Sequence, residues 1–217
     1  MTNLPFSDGS GFNRAGLLKA RELLLKAGYR YKDGKLLDLK GQPIKVEFLI
    51  HQEGLQRTLM PFVRNMKRLG IEVNIRQVDI PQYIERKSNF DFDITTDVMP
   101  QSLNPGNEQA QFWGSVAADQ PRNYNYAGIK NPVIDDVIQK VIRAPNRQEL
   151  VMRTKVLDRL LRAGYYQIPT YGKGPNWYAY WNMYHQPKIK PKLSNGIDYW
   201  WSDAAQTQKV AQYLRKQ

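Results

Sequence analysis

Apolar residues at every second position predict three β-strands in the first half of the chain. Polar residues fill the alternate positions, so each strand presents one apolar face to a core. The predicted strands cover residues 44–50, 71–75 and 90–98. A sheet built from them needs a covering layer on its apolar face.

Apolar residues three and four positions apart predict helices on either side of these strands. The first helix is capped by Asn13 and ends before Gly28. The second covers residues 55–69 and contains Pro61, which removes a backbone donor, so this helix must kink at Pro61 or begin close to it. Two more helices are predicted, over residues 132–142 and 150–161.

Strands separated by helices usually pair in parallel through right-handed crossovers, so we predict an α/β protein with a small sheet flanked by helices. Periodicity is lost between Met99 and Lys130. A structureless loop of that length is uncommon in a compact domain and favours a functional or lid-like role. Because it follows a strand, it lies where open α/β sheets place their ligand sites.

The charge balance is strongly basic, with 32 Lys and Arg against 20 Asp and Glu in 217 residues, a net charge of +12. This charge favours encounters with anionic partners, although basic residues spread along the chain also describe an ordinary solvated surface. The absence of cysteine excludes disulfides and thiolate chemistry. The first residues show neither a signal peptide nor a membrane span, so we expect either a cytoplasmic protein or a piece of a longer one.

The sequence contains no recognisable pattern of catalytic or metal-ligating residues. The two histidines, His51 and His185, are far apart and have no second histidine at ligand spacing. The serines lack the surroundings of an activated nucleophile, and the phosphate-binding loop pattern is absent. We therefore predict no catalytic residue, no metal site and no cofactor.

Three acids, Asp91, Asp93 and Asp97, fall on one side of the third predicted strand. Paired carboxylates serve as general acid and base in many enzymes, so an Asp-dependent hydrolase is one interpretation. The other interpretation is the exposed side of an edge strand, with Asp97 at the strand end in a position to line a cleft.

Aromatic residues concentrate near the C-terminus, between Tyr165 and Trp201. Aromatic rings combined with basic residues bind single-stranded nucleic acid, so a basic nucleic-acid-binding α/β domain is an alternative function. The positive charges do not follow the rings along the chain, which favours a packing role for the rings. We therefore expect no nucleic-acid partner.

Four sequence motifs occur in a fixed order. They are residues 24–29; residues 69–71 followed by Val78, Asp79, Tyr83, Arg86, Phe92 and Asp93; residues 131–135; and residues 147–161 followed by Ile168 and Pro169. In order and spacing over residues 13–185, they resemble the C-terminal portion of the dipeptide and oligopeptide class (family 5) of extracellular solute-binding proteins of ABC importers. Residues 104–115 and 200–203 are most similar to the Yej-like branch, which is associated with oligopeptides and peptide antibiotics.

This resemblance implies one lobe of a type II periplasmic-binding-protein fold, with a small mixed sheet flanked by helices. Residues 13–180 would form the second, C-terminal lobe, and residues 181–217 a tail that returns toward an absent N-terminal lobe. In isolation this arrangement would leave Trp177, Trp181, Trp200 and Trp201 poorly covered, a surface that tends to self-associate.

The resemblance also implies a function and a location. The whole protein would be the substrate-binding component of an ABC importer, clamping an oligopeptide or peptide-like solute between two lobes and presenting it to a membrane permease. It would act in the periplasm without catalysis, and its signal sequence would lie outside this fragment.

Some positions match family residues that contact the ligand. Arg86 matches an arginine that meets a ligand carboxylate, while Thr96, Val98 and Met99 match cleft positions that act partly through backbone groups. Such backbone pairing gives sequence-tolerant peptide binding. The predicted ligand-binding residues are Arg86, Thr96, Asp97, Val98, Met99, Gln101, Asn104, Glu108 and Trp113.

Gln101 departs from the family pattern, because family members carry an acid there that takes the amino terminus of the peptide. A glutamine cannot supply a charge-assisted bond to an ammonium group. Recognition of the amino terminus is therefore expected to pass to Asp97 or Glu108, or to be lost.

Overall fold

The computed structural model describes residues 13–170, 177–191, 194 and 196–215. The chain folds as two compact units, Met1–Ile168 and Pro169–Gln217. Within the described ranges, no helix is both long enough and apolar enough to cross a membrane. The predicted division at residue 180, between a lobe and its returning tail, stays a prediction.

A three-stranded parallel sheet forms the centre of the first unit. Its strands are β3 (Lys45–Ile50), β4 (Glu72–Gln77) and β5 (Ile94–Thr95), in the spatial order β4-β3-β5. β3 pairs with β4 along its whole length, but with β5 only where Phe48 and Leu49 face Ile94 and Thr95. The predicted α/β class and parallel pairing are confirmed.

The two helices that connect these strands cover opposite faces of the sheet. They are α2 (Glu53–Arg68) and α3 (Ile80–Ser88). Phe48 packs against Leu59 of α2, whereas its neighbour Leu49 packs against Tyr83 of α3. Because successive strand residues point to opposite faces, the sheet lies between the two helices.

A helix and a hairpin precede the sheet. They are α1 (Arg14–Lys26), β1 (Arg30–Lys32) and β2 (Lys35–Leu37), with β1 and β2 antiparallel. The side chain of Asn13 accepts a hydrogen bond from the Gly16 N–H, so the predicted cap is confirmed. The fully buried Leu36 of β2 packs with Leu69 and Ile71 at the end of α2, which joins the hairpin to the sheet.

α2 runs without interruption through Pro61, so this helix does not begin near the proline. It ends at Arg68, and Gly70, two residues further on, has a φ of +73° in the left-handed region. The Gly70 carbonyl accepts a hydrogen bond from the Leu36 N–H at 2.9 Å. A residue without a Cβ suits this position, because a Cβ there would lie 2.6 Å from that nitrogen.

The prediction of a strand over residues 90–98 is wrong in extent, since β5 has only two residues. The chain leaving α3 still bonds to its last turn: the Asp91 N–H donates to the Arg86 carbonyl at 2.8 Å. Phe90 adopts a φ of +57°, which breaks the extended run. The Asp93 carboxylate then accepts the Glu47 N–H at 2.7 Å, so a side chain replaces a ladder bond at the start of β5.

The region after β5 folds as a helical layer. Its elements are α4 (Glu108–Trp113), a short 3₁₀ helix (Ser115–Asp119), α5 (Pro132–Ile142) and α6 (Arg147–Ala163). Their core includes Trp113, Ile134, Ile138 and Leu157. The expected structureless loop between Met99 and Lys130 is therefore wrong in part, because α4 lies inside it and contributes to this core.

The described residues of the second unit form a two-stranded antiparallel sheet, a short 3₁₀ helix and an α-helix. Its elements are β6 (Tyr184–His185), a 3₁₀ helix (Ile197–Tyr199), β7 (Trp201–Ser202) and α7 (Ala204–Leu214). Asp203 caps α7 by accepting the Gln206 N–H at 2.8 Å. Trp177, Trp181 and Trp201 are 92%, 47% and 53% exposed, as expected for rings poorly covered within this chain, whereas Trp200 is half-buried.

Candidate functional site

The strand order places a topological switch point at the carboxyl ends of the strands. From β3 the chain crosses through α2 to one neighbour, β4, and then through α3 to the opposite neighbour, β5. Open α/β sheets bind ligands beyond the strand ends at such a reversal. Residues 96–105, here called the strand-end segment, leave β5 at this point.

The strand-end segment has an unusually open backbone. Apart from the sheet ladder to β3, residues 96–105 make no backbone–backbone hydrogen bond within the described part of the chain. Side chains pair with the Thr96 and Leu103 carbonyls and with the Val98 and Asn104 N–H groups. The remaining N–H and C=O groups are available to an incoming main chain, which is the chemistry of sequence-tolerant peptide binding.

Tyr83 of α3 fixes the start of this segment. Its hydroxyl donates to the Thr96 carbonyl at 2.8 Å and lies 3.0 Å from the Thr95 Oγ1. Thr95 Oγ1 in turn lies 3.0 Å from the Leu49 carbonyl of β3, to which it donates. The His51 ring, just past the end of β3, contacts the Tyr83 ring at a centroid distance of 4.4 Å. Sequence reasoning named Tyr83 only as part of a motif.

Asp97 forms an ion pair that the sequence analysis missed. Lys87 Nζ lies 3.0 Å from Asp97 Oδ1, and the two side chains are only 14% and 27% exposed. The same ammonium lies 4.2 Å from the Tyr126 ring centroid and 5.6 Å from that of Tyr83. Lys87 follows Tyr83 by four residues in α3, so helical spacing alone places the two on one face and could have drawn attention to it.

The surroundings of Lys87 favour its charged form and so the ion pair with Asp97. Burial by itself would lower the pKa of Lys87, but the hydrogen bond and charge of Asp97 outweigh burial and raise that pKa above its ordinary value. Burial also raises the pKa of Tyr126, so this hydroxyl stays neutral beside the ion pair.

Arg86 is not brought to the strand ends. Its guanidinium pairs with Glu47 in the middle of β3 and with Asp91 ahead of β5, both at 2.7 Å. Hydrogen bonds to Asp91 and then to Glu47 raise the pKa of Arg86, and the hydrogen bond from Arg86 lowers the pKa of Asp91. A ligand carboxylate would have to compete with two carboxylates that already hold this arginine.

Gln101 and Trp113 are joined through the buried amide of Gln109. Gln109 of α4, 3% exposed, donates from Nε2 to Gln101 Oε1 at 2.8 Å and accepts from Trp113 Nε1 at 3.2 Å. Trp113 is 7% exposed and lies in the helical core. The network anchors the strand-end segment to α4, and the indole of Trp113 does not face a cleft within this chain.

Glu108, Asn104 and Met99 are also held by neighbours. Burial by itself would raise the pKa of Glu108, but the backbone N–H groups of Gly106 and of Glu108 itself lower it overall. The Asn104 side chain accepts from Arg147 Nη1 at 2.9 Å, which ties the segment to α6. Met99 packs against the helical core, whereas Val98 is 83% exposed.

The three acids of the predicted third strand have different partners. Asp91 pairs with Arg86, Asp93 accepts the Glu47 N–H, and Asp97 pairs with Lys87. No two of them form the facing carboxylate pair that a hydrolase acting through these residues requires. Among the described residues, no group of three His, Asp or Glu side chains is arranged to hold a metal ion.

The fold is that of the periplasmic binding proteins. The chain superimposes on the oligopeptide-binding protein AppA from Bacillus subtilis, solved with a nonapeptide, with a TM-score of 0.66 and 19% sequence identity, covering 94% of this chain and 40% of AppA. No family model matches the chain.

By sequence, the chain is homologous to part of the YejA-like binding proteins. It is 43% identical over 203 residues to a probable peptide-binding protein YejA of Agrobacterium fabrum, covering 93% of this chain. It is 34% identical over 203 residues to the peptidoglycan-binding protein YepA of the same organism. The chain spans about a third of the length of these relatives, 33% in each case. The resemblance expected from the four motifs is confirmed.

Proposed function

We propose that this chain forms one lobe of the substrate-binding component of an ABC importer for oligopeptides or peptide-like solutes. The observation that carries the proposal is the strand-end segment, whose unpaired backbone groups lie beyond the carboxyl ends of the sheet. Main-chain bonds ignore the side chains of the ligand, as an importer of varied peptides requires. Relatives named as peptide-binding and peptidoglycan-binding proteins support a peptide-like ligand.

In the proposed mechanism the ligand closes a hinged clamp. Residues 13–180 supply one jaw, an N-terminal lobe supplies the other, and residues 181–217 return toward that lobe. The closed state gains contacts from both lobes, so ligand shifts the population toward it. A membrane permease then recognises the closed form from the periplasmic side.

The proposed lobe binds its solute without transforming it. Its relatives are binding proteins, and the candidate acids Asp91, Asp93 and Asp97 are held by separate partners. In this proposal the Thr96 carbonyl, bonded to Tyr83, fixes the start of the segment, and Val98 and Met99 offer their unpaired backbone groups to the ligand. Gln101, Asn104 and Glu108 shape and anchor the segment.

The test is isothermal titration, in which short peptides are added either to the 217-residue chain or to the complete protein encoded by the full reading frame. We expect the complete protein to bind and this chain to bind weakly or not at all, because one lobe lacks half of the contacts. Micromolar binding by the chain alone, about −8 kcal/mol, contradicts the two-lobe mechanism. Absence of binding by the complete protein contradicts the proposed function itself.

The net charge of +12 favours a second candidate, a nucleic-acid-binding domain. That function requires saturable binding of an oligonucleotide, with an affinity that falls steeply as salt is raised. We expect retention on heparin but no saturable oligonucleotide complex, as measured by fluorescence anisotropy at two salt concentrations.

A further inference from the structure

Lys87 and Asp97 form a partly buried ion pair at the start of the strand-end segment. Asp97 Oδ1 is shared between Lys87 Nζ at 3.0 Å and the Val98 N–H at 2.9 Å. The rings of Tyr83 and Tyr126 flank the ammonium. Side chains that are 14% and 27% exposed are shielded from water, so their attraction is screened less than that of a surface pair.

A ligand ammonium group would meet two opposed effects at Asp97. The carboxylate would attract it, but Lys87 already places a positive charge on the same carboxylate, and like charges at such distances repel. The charge-assisted bond that an unpaired acid offers an ammonium group is therefore largely cancelled.

The other acid of the region, Glu108, lies in the first turn of α4 and is held by neutral donors. Glu108 Oε1 accepts the Gly106 N–H at 2.9 Å and lies 3.3 Å from Gln109 Nε2. Gln101, a neutral side chain, accepts from Gln109 at 2.8 Å. Across the described residues of the strand-end segment and the first turn of α4, each carboxylate accepts a hydrogen bond, but Asp97 is the one that is paired with a cation.

We propose, on the basis of the proposed function, that Lys87 determines the charge preference of the site. By holding Asp97, Lys87 makes the strand-end segment accept neutral ligand groups without selecting for a free amino terminus. The ligands favoured at this point are peptides whose amino end is blocked or lies elsewhere. Lys87 acts through Asp97, so it is a positioning residue and does not itself contact the ligand.

The test compares two probes that differ only at the amino end, tetra-alanine and N-acetyl-tetra-alanine, by isothermal titration of the complete protein at pH 6.5. At this pH the free amino group is protonated. We expect the wild-type protein to bind the two probes within about threefold of each other. In Lys87→Gln, the released Asp97 is expected to favour the free amino probe by about tenfold or more, the effect of one charge-assisted bond.

Three further variants separate this effect from a general loss of charge or structure. Asp97→Asn in the Lys87→Gln background is expected to remove the gained preference, and Lys87→Arg is expected to keep the wild-type ratio. Lys130→Gln is the matched control, because Lys130 pairs with Asp119 at 2.6 Å on an exposed surface and the change in net charge is the same. This control is expected to keep the wild-type ratio.

Two results overturn the inference while leaving the proposed function intact. One is a wild-type preference of tenfold or more for the free amino probe, which needs no variant and is decisive even if Lys87→Gln does not fold. The other is a folded Lys87→Gln protein that binds both probes with the wild-type ratio. If the complete protein binds neither probe nor any other peptide, the proposed function fails and this inference fails with it.

Discussion

At the scale of single residues, a buried amide organises the connection between α4 and α5. Asn125 is fully buried, and its Nδ2 donates to the carbonyls of Gly114 and Ile129, both at 2.9 Å. Its Oδ1 accepts the Ile129 N–H at 3.0 Å. One side chain thus satisfies three backbone groups that the surrounding core hides from water, and buried polar groups without partners are costly.

Replacing Asn125 by Ala is expected to destabilise the protein by about 3 kcal/mol, because it leaves buried backbone groups unpaired. The measurement is the urea midpoint at constant slope. Asn74→Ala is the control, since Asn74 lies exposed on β4, and its cost is expected to stay below about 0.5 kcal/mol. Equal losses in the two variants would contradict the role given to Asn125.

The pairing of Arg86 predicts a pH dependence of stability. The hydrogen bond from Arg86 lowers the pKa of Asp91 in the folded protein below its value in the unfolded chain. The stability that this pair contributes is therefore fully present above the unfolded pKa of Asp91, and it is lost as the pH falls through the lower, folded pKa. Arg86→Gln is therefore expected to be less stable than wild type at pH 7 and to lose less stability on acidification to pH 3.

Urea titrations of both proteins at the two pH values measure this difference. Glu47 also pairs with Arg86, at 2.7 Å. Arg159→Gln, an exposed arginine of α6, is the control with the same change in charge and is expected to follow the wild-type curve. If Arg86→Gln loses as much stability as wild type between pH 7 and pH 3, the ion pair does not have this role.

The sequence could predict residue types for these contacts, but not their partners. Arg86 and Glu47 are 39 positions apart and meet only because β3 and α3 pack across the sheet. Lys87 and Asp97 lie in different elements, so no local pattern joins them. Asp97 therefore looked like a free acid when considered along the strand alone.

At the scale of elements, the signals that depend on neighbours in sequence were reliable. The caps Asn13 and Asn131 accept the Gly16 and Val133 N–H groups as their residue types predict. The predicted strand at residues 90–98 failed because alternation in sequence does not reveal that Phe90 turns into the left-handed region. The hydrogen bonds that end α3, from the Phe90 and Asp91 N–H groups to the Lys87 and Arg86 carbonyls, outweigh the alternating pattern there.

Two glycines test the backbone requirements of α2: Gly70 lies just past its end, and Gly54 lies in its first turn. Gly70→Ala is expected to destabilise the protein by about 2–4 kcal/mol, because a left-handed backbone and a backbone nitrogen 2.6 Å from the new Cβ oppose it. Gly54→Ala, in the first turn of the same helix, meets no atom within 4 Å and is expected to stabilise by up to about 1 kcal/mol. Thermal unfolding of both variants measures the contrast, and shifts of the same sign would contradict it.

At the scale of the whole molecule, the first unit has its own sheet and helical core, whereas the second exposes large aromatic rings. Large exposed apolar surfaces on monomers mark places where another surface binds. In the proposed protein, the N-terminal lobe would supply the surface that covers these rings. The chain spans only about a third of the length of its relatives, so such a lobe is expected outside it.

The isolated chain is expected to self-associate through these rings. Trp177→Ser combined with Trp181→Ser is expected to raise the dissociation constant of the association about tenfold, or ~1.4 kcal/mol. Sedimentation velocity over a series of concentrations measures it. Leu39→Ser, which removes a 73% exposed apolar residue from the first unit, is the control and is expected to leave the association unchanged. A monomer at all concentrations would contradict this prediction.

The spatial order β4-β3-β5 has a consequence for how the chain is made. β3 is the central strand, yet it is synthesised before both of its neighbours. Ile94 of β5, which pairs with Phe48 of β3, comes 46 positions later in the chain. Until then its Leu49 and Ile50, fully buried in the finished molecule, are open to other chains. Unpaired strand edges are where nascent proteins aggregate, so a chaperone that delays compaction should raise the yield of this protein by protecting β3.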